Sequence, residues 1–141
     1  CDLRIGAANA KFGFPIARTL GNCLSMANYA RLSALIGPAR VKDLIFTARL
    51  VEADEARGIG LLSEVVPDPT DLLARAEDLA RTVASHAPLT LRATKEALRR
   101  LQAAAEAGAG EDLILMCYMS EDFREGMDAF LNKRPPHWRG T

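Results

Sequence analysis

Residues Ala10 to Ile16 read A-K-F-G-F-P-I. Gly13 stands between two aromatic residues, and Pro15 fixes the backbone just before Ile16. With Gly6 upstream, the segment Gly6–Pro15 reads as strand and loop. Before it, Leu3-Arg4-Ile5 alternates and reads as a short strand. After it, Asn22 is placed to cap a helix running to about Ile36 and ending at Gly37. That helix is apolar nearly all round (Cys23, Leu24, Met26, Ala27, Ala30, Leu32, Leu35, Ile36), the pattern of a buried helix. Ser25 and Asn28 leave a narrow polar seam along it. The charges are as uneven as the pattern. No Asp or Glu stands between Asp2 and Asp43, whereas Arg4, Lys11, Arg18, Arg31, Arg40 and Lys42 do.

Working outward, Pro38 fits the first turn of a helix through about Thr47. Glu52–Arg57 reads as a short helix stopped by Gly58 and Gly60, and Ser63–Val66 as a strand stopped by Pro67. Beyond this point the chain changes character and is mostly helical. Asp71 is expected to cap a helix that presents Leu72, Ala76, Leu79, Val83 and Ala87 on one face. Pro88 starts the next, with Leu91, Leu98 and Leu101 inward. Ala103–Gly110 reads as a small-residue linker and Asp112–Met119 as an apolar helical stretch. Ser120 caps a last helix carrying Phe123, Met127 and Phe130. Pro135 and Pro136 end it, before a tail with His137, Trp138 and Arg139.

The chain has 141 residues, of which 49% are hydrophobic. A chain of this length buries roughly 70% of its extended surface, and disorder is excluded on composition. Eighteen basic and eighteen acidic residues cancel, so no global field favours nucleic acid. No apolar run approaches a membrane span. The cysteines Cys1, Cys23 and Cys117 are odd in number and match no zinc spacing. They read as reduced thiols of a cytoplasmic protein. Position 1 is Cys, so the sequence is expected to be a processed product, a trimmed chain or a piece of a longer protein.

Five blocks, in order, resemble the crotonase family of enoyl-CoA hydratases and isomerases. C-D-L-R-I at Cys1–Ile5 is similar to a family strand. A-K-F-G-F-P-I resembles the loop A-x-F-G-x-P-E, whose last position is a catalytic glutamate in relatives and Ile16 here. R-L-S-A-L-I-G-P-A-R-V-K-D-L-I-F-T-A-R, from Arg31 to Arg49, is similar to the family's helix pair and following turn. A-D-E-A-R-G-I-G-L-L-S-E-V-V-P, from Ala53 to Pro67, resembles its helix, Gly-Leu turn and strand. Ser120–Gly140 is similar to its C-terminal signature.

The resemblance implies an α/β fold, the ClpP/crotonase spiral ββα core. Residues 1–68 would form the C-terminal part of that core, and 69–141 a helical trimerisation region. It implies an acyl-CoA partner, with the CoA thioester as substrate and no separate cofactor or metal, and a homotrimer or dimer of trimers. The family stabilises an enolate with two backbone N–H donors, each typically worth on the order of 100- to 1000-fold in rate. A carboxylate then moves the proton, for roughly 100- to 10,000-fold more. Both donors, and in hydratases the first glutamate, lie in the part of the family that precedes these residues. Ile16 cannot pass a proton, and the neighbouring helix start offers only Asn22, Cys23 and Ser25.

No catalytic residue is therefore assigned. Four positions are expected to contact substrate. Ile16 lines an apolar acyl pocket, unless a loop shift brings another side chain to that point, and Ser25 lies on the same wall. By resemblance, Phe130 and Lys133 reach CoA, an aromatic face for adenine and an ammonium for phosphate. At i, i+3 they share one face at a helix end. Cys23 reads first as a small hydrophobe, His86 and His137 as surface or packing residues, and Glu64 and Asp122 as solvated. Trp138 reads as an anchor against another chain. The functional expectation is a crotonase-family acyl-CoA enzyme outside the two-glutamate hydration scheme, with isomerase or other enolate chemistry open. The alternatives are a non-catalytic CoA-binding or oligomerisation module, or an inactive fragment of such an enzyme.

Overall fold

The computed structural model describes residues 1–106 and 110–141, the side chains of 103–106 excepted. In chain order the elements are β1 (Ile5–Ala7), β2 (Lys11–Phe12), α1 (Ile16–Thr19), α2 (Met26–Ile36), α3 (Pro38–Thr47), β3 (Val51–Glu52), α4 (Ala53–Gly58), β4 (Glu64–Val66), α5 (Leu72–Ala84), α6 (Pro88–Glu106), α7 (Glu111–Tyr118) and α8 (Glu121–Leu131). A single 3₁₀ turn over Pro69–Asp71 precedes α5. Among the described residues, no helix is long and apolar enough to cross a membrane.

These elements form two compact units, each assembled from two stretches of chain. The first comprises residues 1–12 and 51–105. Its β1 pairs with β4 in parallel, Gly6 opposite Val65, and its β2 pairs with β3 in antiparallel. Val51, Ala53 and Ala56 are fully enclosed, with Leu62, Val66 and Ala7 beside them. Small alanines on α4 let that helix lie close to the paired strands. Glu64, expected to be solvated, keeps 36% of its side chain exposed and is also paired. Arg75 of α5 grips its carboxylate with two bonds of 2.6 and 2.8 Å, holding it below the usual carboxylate range.

The second unit comprises residues 13–50 and 106–141. α3 buries Val41, Leu44 and Ile45 on one face, which is the 3.6-residue period of an amphipathic helix. Ile36, Ala48 and Ala129 complete the buried set. The position between residues 68 and 69, where core and assembly regions were expected to meet, lies inside the first unit, in the turn from β4 to α5. That division concerns roles within a family, which packing units do not measure.

Several local expectations are corrected. The first strand begins at Ile5; the Arg4 N–H goes to the Ser63 hydroxyl instead of a strand carbonyl, and its guanidinium to the Leu61 and Cys1 carbonyls. Asn22 does not cap α2. Ser25 does, extended at φ −66°, ψ 156°, with its Oγ accepting the Asn28 N–H. Only Ile36 of α2 is buried in this chain. Asp71 stands at the start of α5 without a capping bond. Asp68 instead accepts the Thr70 N–H at 2.8 Å and sets the preceding turn. Ala87 falls beyond α5. The expected linker at 103–110 is helical through Glu106, since alanine is the best helix former; its residues 107–109 lie outside the described residues. Helix α8 ends at Leu131, four residues before Pro135.

Candidate functional site

All four expected substrate contacts belong to the second unit. The loop from Gly13 to Ser25 carries two of them. Gly13 is obligatory because a Cβ there would stand 2.6 Å from the Arg49 carbonyl oxygen. Pro15 then occupies the N-cap position of the one-turn helix α1, its carbonyl accepting the Thr19 hydroxyl at 2.8 Å. Ile16 is the first residue of that turn and is half-buried. Its carbonyl closes the turn by accepting the Leu20 and Gly21 N–H groups at 3.0 and 2.9 Å.

Past α1 the chain runs against α8 and α7. Gly126 of α8 meets the Leu20 backbone so closely that a Cβ would lie 2.6 Å from its carbonyl oxygen. The Trp138 ring packs on Gly21, 3.1 Å from where a Cβ would be. Trp138 thus has an anchor within its own chain. Asn22 donates its side-chain amide to Tyr118 Oη at 3.2 Å. Its Oδ1 is buried with no hydrogen-bond partner among the described residues. Cys23 Sγ rests 3.5 Å from the Leu113 carbonyl. Ser25 follows, its lone pair engaged in capping and its O–H left to donate.

The other two candidates sit at the end of α8, whose Ser120 N-cap accepts the Phe123 N–H at 3.0 Å as the sequence indicates. Phe130, one turn past Gly126, is 67% exposed. Lys133 has φ 52°, in the left-handed region that favours glycine. The closing bonds explain why: the Lys133 N–H reaches the Phe130 carbonyl and the Arg134 N–H the Ala129 carbonyl, which is a Schellman motif with lysine in the glycine position. Ile16 and Ser25 thus share one loop, Phe130 and Lys133 share one helix end, and Gly126 docks that helix onto the loop.

A network beyond these residues holds the tail. Arg134 forks onto Glu125 at 2.6 and 2.8 Å and also reaches Asp128 at 2.6 Å. Glu125 accepts the His137 N–H at 2.8 Å. Arg134 first, then that N–H, pull the Glu125 pKa down to about 2. Asp122 accepts the Arg139 and Gly140 N–H groups at 2.7 and 2.8 Å, so it is engaged rather than solvated. Sequence reasoning missed Tyr118, Glu125 and the inward role of Trp138, and read Asn22 as a helix cap. Only the acidic start of α8 hinted at any of them. Among the described residues, no three His, Cys, Asp or Glu side chains gather as a metal-binding group.

The family model described as Enoyl-CoA hydratase/isomerase matches residues 1–141. The short-chain-enoyl-CoA hydratase of Clostridioides difficile is 40% identical over 134 residues, 92% of this chain and 84% of that protein. The crotonyl-CoA hydratase of Syntrophomonas wolfei is 38% identical over 137 residues, 95% of this chain and 52% of that protein. A solved methylmalonyl-CoA decarboxylase in complex with 2-nitronate-propionyl-CoA superposes with a TM-score of 0.89 at 33% identity, over 99% of this chain and 55% of that one. An enoyl-CoA hydratase/isomerase from Pseudoalteromonas atlantica gives 0.84 at 28%, over 99% and 56%. The chain thus spans about half the length of three of these four proteins. With the F-G-F-P loop, the α2–α3 pair and the α8 signature in one order, and a match over all 141 residues, the chain belongs to the enoyl-CoA hydratase/isomerase, or crotonase, family.

Proposed function

We propose that the protein carrying this chain is an acyl-CoA enzyme that stabilises the enolate of a CoA thioester, and that these residues supply pocket wall and CoA contacts rather than proton transfer. Ile16 is the observation that carries the reading. An aliphatic side chain fills the loop position where the family pattern has a glutamate, and no carboxylate stands between residues 3 and 42. Ile16 contacts the acyl chain, and the Ser25 hydroxyl can donate to a ligand. Phe130 offers its exposed ring to adenine and Lys133 its charge to phosphate. The thioester is the substrate, and no further cofactor is invoked. Exposed apolar side chains such as Leu73, Leu89, Met116 and Leu131 support self-association, for which a homotrimer or dimer of trimers is the reading. Free thiols on all three cysteines support a cytoplasmic setting.

A second reading follows from the missing carboxylate and the likeness to methylmalonyl-CoA decarboxylase. Loss of CO2 from a malonyl-type thioester needs no base. The electrons of the breaking C–C bond flow into the thioester carbonyl and give the same enolate. An apolar wall suits this step, because it disfavours the substrate carboxylate relative to neutral CO2.

The test uses the full-length protein with crotonyl-CoA and methylmalonyl-CoA in turn. Slow or absent hydration of crotonyl-CoA is expected, and rapid hydration with Ile16 in place would sink the assignment. CO2 release from methylmalonyl-CoA selects the second reading. There, Ile16→Glu should raise the KM for methylmalonyl-CoA at least about tenfold, or ~1.4 kcal/mol, by setting a negative charge against the carboxylate of the bound substrate. A non-catalytic module would show neither reaction yet still gain thermal stability with millimolar CoA.

A further inference from the structure

The segment between α1 and α2 brings one thiol against another. Cys23 Sγ lies 3.5 Å from the Leu113 carbonyl oxygen. Within a helix that carbonyl belongs to the N–H four residues on, which on α7 is the N–H of Cys117. The adjacent bond from Asn22 to Tyr118 Oη, 3.2 Å long, fixes the register of loop on helix. Cys117 stands one turn along α7 from the carbonyl that Cys23 touches, and its thiol neighbours that of Cys23. Both are free thiols, and both are half-buried rather than sealed in. Burial first, and then the neighbouring Cys117 thiol, push Cys23 up to about 11, which keeps it a neutral thiol at physiological pH.

We propose that Cys23 and Cys117 form a peroxide-modifiable dithiol that closes to an intramolecular disulfide, tying the loop after α1 to α7. The thiolate is the reactive form of cysteine, and either thiol of the pair can open the sequence, taken below as Cys117. Its sulfur takes one peroxide oxygen, the O–O bond breaks and hydroxide leaves, giving a sulfenic acid. The Cys23 sulfur then attacks the Cys117 sulfur. The S–S bond forms, the S–O bond breaks, and the departing oxygen leaves as water with the Cys23 proton. Peroxide gains two electrons, the dithiol loses two, and two waters result. The bond would immobilise a loop that carries Ile16 upstream and Ser25 downstream. It stands on the loop–helix geometry and does not require the acyl-CoA reading to be right.

Cys23 and Cys117 fall on separate tryptic peptides, residues 19–31 and 101–124, and Cys1 on a third that ends at Arg4, so mass spectrometry can tell their products apart. Full-length protein is treated with stoichiometric hydrogen peroxide, its remaining thiols are alkylated, and it is digested without reductant. The expected product joins 19–31 to 101–124 within one molecule, lighter than the two peptides by two hydrogens and reversed by dithiothreitol. Cys23→Ser should abolish it and leave a Cys117 sulfenic acid that dimedone traps. Cys117→Ser should abolish it as well. Oxidation of either residue without the cross-link in the unmutated protein would overturn the proposal. So would a cross-link that runs mainly through Cys1 or between molecules.

Discussion

Lys133 concentrates the residue-scale argument. A lysine in the left-handed region at φ 52° costs roughly 1–2 kcal/mol relative to a relaxed backbone. Glycine would remove that strain but adds about 0.5–1 kcal/mol of unfolded-state entropy. Lys133→Gly should therefore stabilise the protein by up to about 1 kcal/mol in thermal denaturation. It should also weaken CoA binding, since the ammonium is lost. A less stable variant would show that the strain is absent, and unchanged CoA affinity would remove Lys133 from the site. The sequence marked this lysine as a contact by resemblance. It did not show that the backbone is strained there, because the left-handed turn follows from the Schellman bonds to Phe130 and Ala129. Asn22 was legible only as a helix cap. Its partner Tyr118 lies 96 residues away, beyond the reach of any local pattern.

Among the elements, α8 and the loop it holds are the most informative pair. A mid-helix glycine is normally worth replacing, since Ala gains about 1 kcal/mol in helix propensity. At Gly126 the Cβ would meet the Leu20 carbonyl oxygen at 2.6 Å, and overpacking of this kind costs typically 1–3 kcal/mol. The clash should win. Gly126→Ala is expected to lower the melting temperature and to speed hydrogen exchange at the Leu20 and Gly21 amides, which bond to Ile16. A gain in stability would show that the loop is not pressed against α8. Elements with local stop signals were legible: α3 runs Pro38–Thr47 and α8 starts after Ser120, as read from proline placement and capping chemistry. The stretch at 103–106 was misread as linker because small residues signal both loops and, when they are alanine, helix.

On the scale of the whole molecule, the tail depends on charge. Glu125 has its folded pKa depressed to about 2 from an ordinary 4.5, by Arg134 first. A depressed carboxylate stabilises the folded state above its unfolded pKa, and that contribution is lost as pH falls through the folded value. The tail should therefore loosen between about pH 4.5 and 2. The one tryptophan of the chain, Trp138, sits on that tail against Gly21, so its emission should shift to the red over this window. Glu125→Gln should show a loosened tail already at neutral pH and a smaller acid step, since Asp122 and Asp128 still hold the tail. An emission that stays constant to pH 2 would mean that the Arg134 network does not hold the tail.

By itself, the sequence determined the family, the extent of α3, the Ser120 cap of α8, and the absence of a carboxylate around Ile16. These are properties of single residues and short spacings. Only the tertiary structure decided which distant groups meet: Asn22 with Tyr118, Cys23 with the Leu113 carbonyl, Leu20 under Gly126, and Arg134 between Glu125 and Asp128. The physical reason is that local periodicity fixes the direction in which a side chain leaves its element, whereas packing between remote segments fixes what it touches.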